Sequence, residues 1–149
     1  LTAKICAGLI NIIILFTVIA VSSIVGVAIV NHNYNLTSQV INLMWGILLV
    51  QIFFYSAGIL FAGICKNPKL PASLVTVAIV LAYFGSIAAD LSNYFDWLKF
   101  VTPLKWFSAP SIINTGHVSS SYAVITVCLS VVFLVTSYIF YNKRDITVG

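Results

Sequence analysis

Charged side chains are scarce in this sequence, and glutamate is absent altogether. Of the 149 residues, seven are basic and three are acidic, so that only 7% are charged while 61% are hydrophobic. Soluble domains carry about 25% charged residues. A chain of this length cannot bury so much apolar surface in a core that is itself surrounded by water. The composition therefore excludes a soluble domain and predicts an integral membrane protein.

The sequence also lacks the residue sets that enzymes use. It has two histidines, His32 and His117, and its three cysteines have no CxxC spacing. No serine lies in a nucleophile elbow, no pair of aspartates lies within an apolar stretch, and no glycine loop of the phosphate-binding type occurs. We therefore expect no catalytic residue, no metal site and no cofactor site in the chain. We interpret the cysteines as buried small apolar residues. They are Cys6, Cys65 and Cys128.

Four apolar stretches are long enough to cross the hydrocarbon core of a bilayer, which takes about 20 helical residues. They cover residues 5–30, 40–65, 73–91 and 121–141. Backbone groups in lipid must be hydrogen-bonded within their own segment, so runs of this length predict helices although many of their residues are β-branched. A barrel would need alternating segments of about ten residues. We predict an all-α integral membrane protein with a single transmembrane domain over residues 1–149.

The connection at residues 92–120 is the longest of the three and gathers aromatic side chains, charges and prolines. We predict an amphipathic helix over 92–102, which Pro103 ends, and a second short helix from Pro110 to about Gly116. Aromatic rings of this kind favour the membrane–water interface. The connection is expected to form interfacial or re-entrant helices that cap the outer side, although an ordinary aromatic belt on a loop is the open alternative. The expected cap residues are Trp97, Phe100, Pro103, Trp106 and Phe107.

Four crossings place both chain ends on one side of the membrane. Five basic residues then lie on that side and two on the other, which favours cytoplasmic ends in the plasma membrane. The five are Lys4, Lys66, Lys69, Lys143 and Arg144, and the two are Lys99 and Lys105. We interpret the basic excess as an orientation signal and expect no nucleic-acid partner.

Polar and small residues inside the apolar stretches are the candidate functional positions. Asn11 and Gln51 predict either hydrogen bonds between helices or contacts along a translocation path. Asp90 lies at the outer end of the third stretch, where we expect it to stay ionised. Gly58 and Gly85 each precede an alanine by four residues, a spacing typical of close helix packing.

Two stretches carry a resemblance to a known family. The segment "LKFVTPLKWFSAPSIINTG" leads into a last apolar run that ends in "YIFYNKRDI", and the chain opens with "LTAKICAGLI". This order resembles the C-terminal part of ABC-2 type transporter permeases, the membrane subunits of bacterial ABC exporters. The resemblance covers the whole chain as spans three to six of a six-span permease, and it implies two further spans and a cytoplasmic connector before Leu1.

The resemblance implies an ATP-driven exporter of a hydrophobic or amphipathic substrate, such as a lipid, a drug or an antimicrobial peptide. Two permease copies or paralogues would pair, and separate ABC ATPase subunits would bind ATP and magnesium on the cytoplasmic face. The residues implied in ATPase contact are Lys4, Lys66, Asn67, Pro68 and Lys69. An ion-gradient-driven secondary transporter, a channel subunit and a non-transporting membrane assembly subunit remain alternatives.

Overall fold

A computed structural model describes residues 2–30, 34–65, 67, 69–91, 102–115 and 117–142 of the chain. Every regular element within these residues is an α-helix, which confirms the predicted all-α class. The helices are α1 (Thr2–Val30), α2 (Tyr34–Ile64), α3 (Leu70–Leu91), α4 (Pro103–Trp106), α5 (Ala109–Thr115) and α6 (Ser120–Asn142).

Four of these helices are long and apolar enough to cross a membrane. Their apolar parts are Ile5–Ile29, Gln39–Ile64, Leu70–Leu91 and Ser120–Asn142. The shortest has 22 residues, which at a rise of about 1.5 Å per residue is about 33 Å. Helix α3 begins three residues before the predicted stretch at 73, because Pro71 fits the first helical turn, where its missing N–H is not needed. The chain is a multi-pass membrane protein.

Helix α2 is the centre of the bundle and packs against α1, α3, α5 and α6. Two contacts fix its direction relative to α1. The Tyr55 hydroxyl donates a hydrogen bond to the Ile5 carbonyl oxygen at 2.8 Å, and the Phe16 and Trp45 rings lie 6.5 Å apart between centroids. Residue numbers rise along α1 as they fall along α2, so the two helices are antiparallel.

Helix α6 runs parallel to α2 and forms its most extensive contact. The Ser137 hydroxyl donates to the Ile59 carbonyl oxygen at 2.7 Å, and the Phe53 and Phe133 rings lie 5.6 Å apart. A Cβ atom added to Gly63 would lie 2.9 Å from the Ser137 carbonyl oxygen. The missing side chain of Gly63 therefore allows two helix backbones to approach closely.

Beside the contact between Phe53 and Phe133, a set of small residues is buried in α2 and α6. We call it the small-residue seam. It consists of Ser56, Gly63, Thr126, Ser130 and Ser137, all buried. Most of its hydroxyls donate to carbonyl oxygens within their own helices, as Thr126 does to Tyr122 and Ser130 to Thr126. Lipid offers no hydrophobic drive for helix association, so close packing of small residues holds the helices together instead.

The interpretation of the cysteines as buried residues is wrong for two of them. Cys6 and Cys128 are exposed on the apolar surfaces of α1 and α6, and Cys65 is partly buried. In a membrane protein the outside of the bundle is itself apolar, so an apolar side chain gains little from facing inward.

Candidate functional site

The helices α4 and α5 and the two residues that join them make up residues 103–115, between the third and fourth spanning helices, and we call this segment the hairpin. Thr102 is the N-cap of α4, in extended conformation, and Pro103 follows in the first turn. Pro103 was expected only to end a helix, but it begins one, because its fixed φ angle suits the first turn. Helix α5 lies close to the predicted bounds of Pro110 and Gly116. The helix predicted over 92–102, and the cap residues Trp97 and Phe100, lie outside the described residues, except for Thr102.

The hairpin is seated on α2 through two buried apolar side chains. Phe107 is 8% exposed and Ile112 is 2% exposed. A Cβ atom on Gly46 would lie 3.2 Å from both the Phe107 Cβ and the Ile112 Cδ1 atoms. Gly46 therefore lets the hairpin lie directly against the α2 backbone. Sequence analysis missed this glycine, because it lacks the four-residue spacing that singled out Gly58 and Gly85.

The hairpin is also tied to the end of α3. The Lys105 ammonium group donates a hydrogen bond to the Asp90 carboxylate in an ion pair. The Lys105 side chain is 14% exposed, whereas that of Asp90 is 64% exposed. Thr102 lies against Gly85, whose added Cβ atom would be 3.4 Å from the threonine hydroxyl oxygen. Asp90 thus lies at the end of the third span, and its partner there, Lys105, was not indicated by the sequence.

Four aromatic rings connect the hairpin to the middle of the bundle, and we call them the aromatic ladder. The Tyr122 and Trp106 rings are stacked 5.8 Å apart at an angle of 8°. The Trp106 ring lies 6.4 Å from the Phe53 ring, edge to face, and Phe53 continues to Phe133. Pairs of this geometry contribute about 0.5–1.5 kcal/mol each beyond their buried area. The ladder therefore fixes the hairpin against both α2 and α6.

A half-open cavity of about 230 Å³ lies between the hairpin and α2, and we call it the outer cavity. It is lined by Gly46, Ile47, Val50, Gln51, Leu104 and Phe107. Gln51 supplies the polar side chain of this lining. Its Oε1 atom is buried and accepts no hydrogen bond from the part of the chain that the structure describes. Gln51, a candidate path residue, therefore lies at the site.

A second, largely open pocket, which we call the inner cavity, follows along α2 toward its C-terminal end. It measures about 320 Å³ and separates α2 from the beginning of α3. Its lining is Phe54, Tyr55, Gly58, Ile59, Ala62, Pro71, Ala72 and Val75. Gly58, a candidate packing residue, lies against Val75 here.

Asn11, the other polar candidate, lies away from both cavities. It is exposed on the surface of α1, among apolar side chains such as Ile10 and Ile14. From the sequence alone, Asn11 and Gln51 were equally good candidates for a functional position. The packing of the hairpin on α2 is what separates them.

The basic connection before α3 forms the turn from which that helix starts. The Asn67 side-chain oxygen accepts a hydrogen bond from the Lys69 backbone N–H at 3.1 Å, and the Leu70 N–H donates to the Asn67 carbonyl oxygen at 3.3 Å. Asparagine commonly begins turns in this way. Asn67 and Lys69 are exposed, Lys4 lies in the first turn of α1, and Lys66 and Pro68 lie outside the described residues.

No group of three metal-binding side chains occurs among the residues that the structure describes. His117 is exposed, and His32 lies outside those residues. Comparisons with protein-family models, with curated proteins and with solved structures give no match. The candidate site of this multi-pass membrane protein is accordingly the outer cavity, formed where the hairpin meets α2.

Proposed function

We propose that the chain is a permease subunit of an ATP-driven exporter of the ABC-2 type, which moves a hydrophobic or amphipathic substrate out of the cell. The observation that carries the proposal is the hairpin between the third and fourth spanning helices, which packs against the second through Phe107 and Ile112. The family resemblance implies an outer segment of this kind at this place. Its buried contacts support a lid that belongs to the bundle rather than a loop lying on lipid.

In the proposed mechanism, one end of the helix bundle contacts the ATPase and the other end opens or closes the path. ATP, which the partner ATPase subunits would bind together with magnesium, supplies the energy. Asn67 and Lys69, exposed before α3, are proposed to contact the ATPase together with the N-terminal turn of α1, which includes Lys4. A movement there reaches the hairpin through α3, because Asp90 at the end of this helix is paired with Lys105. The hairpin then opens or closes the outer end of the path.

The exposed apolar surface of α1 supports a partner within the membrane. No residue in its membrane-spanning part is buried within the described bundle. A second permease copy or a paralogue is proposed to pair with the chain, with the bilayer covering the rest. On this proposal both chain ends face the cytoplasm of a bacterial cell.

The proposal is tested by purifying the full-length gene product from its own host in mild detergent. We expect an ATPase with a P-loop to co-purify, and substrate transport into vesicles to stop when ATP is withdrawn. Lys69→Glu should lower the recovery of the ATPase, because it reverses a charge at the proposed contact. Ser119→Glu, which adds the same side chain at the opposite end of the bundle, should leave recovery unchanged.

Two results would overturn the proposal. One is that no ATPase is recovered while transport continues without ATP and stops when an ionophore collapses the ion gradient, which would identify a secondary transporter. The other is that neither ATP nor an ion gradient affects any flux, which would leave an assembly subunit.

A further inference from the structure

We propose that the outer cavity is a binding site for a neutral amphiphile, which donates a hydrogen bond to the Oε1 atom of Gln51. Gln51 lies at the middle of the apolar part of α2, 12 residues after Gln39 and 13 before Ile64. At a rise of about 1.5 Å per residue, Gln51 lies about 18 Å along the helix from Gln39.

The unsatisfied oxygen of Gln51 is the first reason. The buried hydroxyl groups of Ser56, Thr126, Ser130 and Ser137 all donate to backbone carbonyl oxygens. Gln51 Oε1 is the one buried side-chain oxygen or nitrogen atom without a hydrogen bond among the described residues. A buried acceptor left unpaired costs free energy, and the cost is greatest where no water can reach it. A ligand that brings an O–H or N–H group into the cavity removes that cost.

The remaining lining determines the charge of the ligand. The other five residues are apolar: Gly46, Ile47, Val50, Leu104 and Phe107. Lys105, which neighbours Leu104, is paired with Asp90 of α3 and does not line the cavity. An ionised group in this lining would be desolvated without a counter-charge. The chemistry therefore fits a neutral hydroxyl, amine or amide group on an apolar body.

The size of the cavity limits how much of the ligand it holds. An engineered apolar cavity of about 150 Å³ takes up benzene, whereas sites for drug-sized molecules measure about 300–1,000 Å³. The outer cavity, at about 230 Å³, fits a ring or a short chain with its polar group. The lining of the inner cavity begins with Phe54, three residues beyond Gln51 and on the same face of α2. A longer alkyl part can continue along that face.

Identification of this ligand as exported cargo rests on the proposed function, whereas its binding does not. The experiment therefore measures binding to the full-length protein in nanodiscs of phosphatidylcholine, without ATP or an ATPase. The probe is an eight-carbon alcohol that carries a photoreactive diazirine, and its control is the corresponding alkyl diazirine without the hydroxyl group. Adducts are located by mass spectrometry of peptides.

We expect the alcohol to label residues 46–51 or 104–107, and an excess of 1-octanol to prevent the labelling. Gln51→Leu should reduce the labelling by the alcohol about fivefold, the effect of one hydrogen bond, and should leave labelling by the hydroxyl-free probe unchanged. Asn11→Leu removes an amide from the span of α1, away from the cavity, and should change neither. Val50→Phe fills the cavity while keeping Gln51 and should prevent labelling by both probes.

Equal labelling by the two probes, or unchanged labelling in a folded Gln51→Leu protein, would show that lipid chains enter the cavity without regard to the amide, and would overturn the proposal. Stronger labelling by a diazirine fatty acid would overturn the neutral class of ligand. Labelling as expected together with transport that needs no ATP would leave the site standing and refute the exporter.

Discussion

Gly63 and Gly26 are both helical glycines, but their surroundings differ completely. A Cβ atom on Gly63 would lie 2.6 Å from the Ser137 hydroxyl oxygen and 2.9 Å from the Ser137 carbonyl oxygen, whereas nothing lies within 4 Å of one on Gly26. The backbone oxygen cannot move aside without shifting α6. We expect Gly63→Ala to lower the free energy of unfolding by about 1–3 kcal/mol, as overpacking does.

Gly26→Ala is the matched control, and should leave stability unchanged or raise it by about 0.5–1 kcal/mol, because alanine is the better helix former. The measurement is the midpoint of thermal unfolding of each purified protein in the same detergent. Equal midpoints for Gly63→Ala and the unaltered protein would contradict the close packing of α2 on α6.

The ion pair between Lys105 and Asp90 is the polar link between the hairpin and α3. We expect Lys105→Met to loosen the hairpin, which can be followed by the rate at which a thiol reagent modifies a cysteine placed at Ser108. The native cysteines are first replaced by alanine. Since Asp90 is 64% exposed, the pair contributes at most about 1 kcal/mol, so the rate should rise by up to about fivefold.

The double change Asp90→Lys with Lys105→Asp should restore the original rate, because it re-forms the pair with the charges exchanged. Lys69→Met, which removes a lysine from the other end of α3, should have no effect. If the cysteine at position 108 is modified at the same raised rate in the single and the double variant, Lys105 acts through packing and not through its charge.

The long helices were predictable from the sequence because the length of an apolar run is a one-dimensional property. The faces by which they meet were not. The contact between Lys105 and Asp90 joins residues 15 positions apart, and that between Ser137 and Ile59 joins residues 78 apart. Pro103 was read as the end of a helix because its neighbours toward the C-terminus, Leu104 to Trp106, give too short a run to reveal a helical period.

The candidate site was predictable only in part, for a related reason. Polarity within an apolar stretch singled out Gln51 and Asn11 equally. Which amide faces a cavity depends on where the hairpin lies, and that depends on Gly46, a residue with no side chain to reveal its role. The buried hydroxyls of the small-residue seam could not be singled out either, since the spans also carry exposed hydroxyl residues such as Thr17 and Thr76.

The alternation of four crossings predicts the accessibility of the two described connections. Asn67 precedes α3 and Ser119 precedes α6, so the two residues lie at opposite ends of the bundle. In intact cells, a cysteine at Ser119 should react with a membrane-impermeant thiol reagent, and one at Asn67 should react only after the cells are permeabilised. The native cysteines are again replaced first.

Labelling of Asn67→Cys alone would reverse the orientation inferred from the basic residues. Labelling of both cysteines in intact cells would contradict the four crossings themselves. A cysteine at Val18, which lies near the middle of the span of α1 and is exposed on its surface, is the control that should react in neither condition.

The parallel contact between α2 and α6 also sets an order for assembly. Helix α2 leaves the ribosome long before α6, since 55 residues separate the end of one from the beginning of the other. Until α6 is made, Gly63 of α2 lacks its close contact with Ser137. Helix α6 thus adds the most extensive contact of α2 late, and a chain truncated before residue 120 leaves α2 without its principal neighbour.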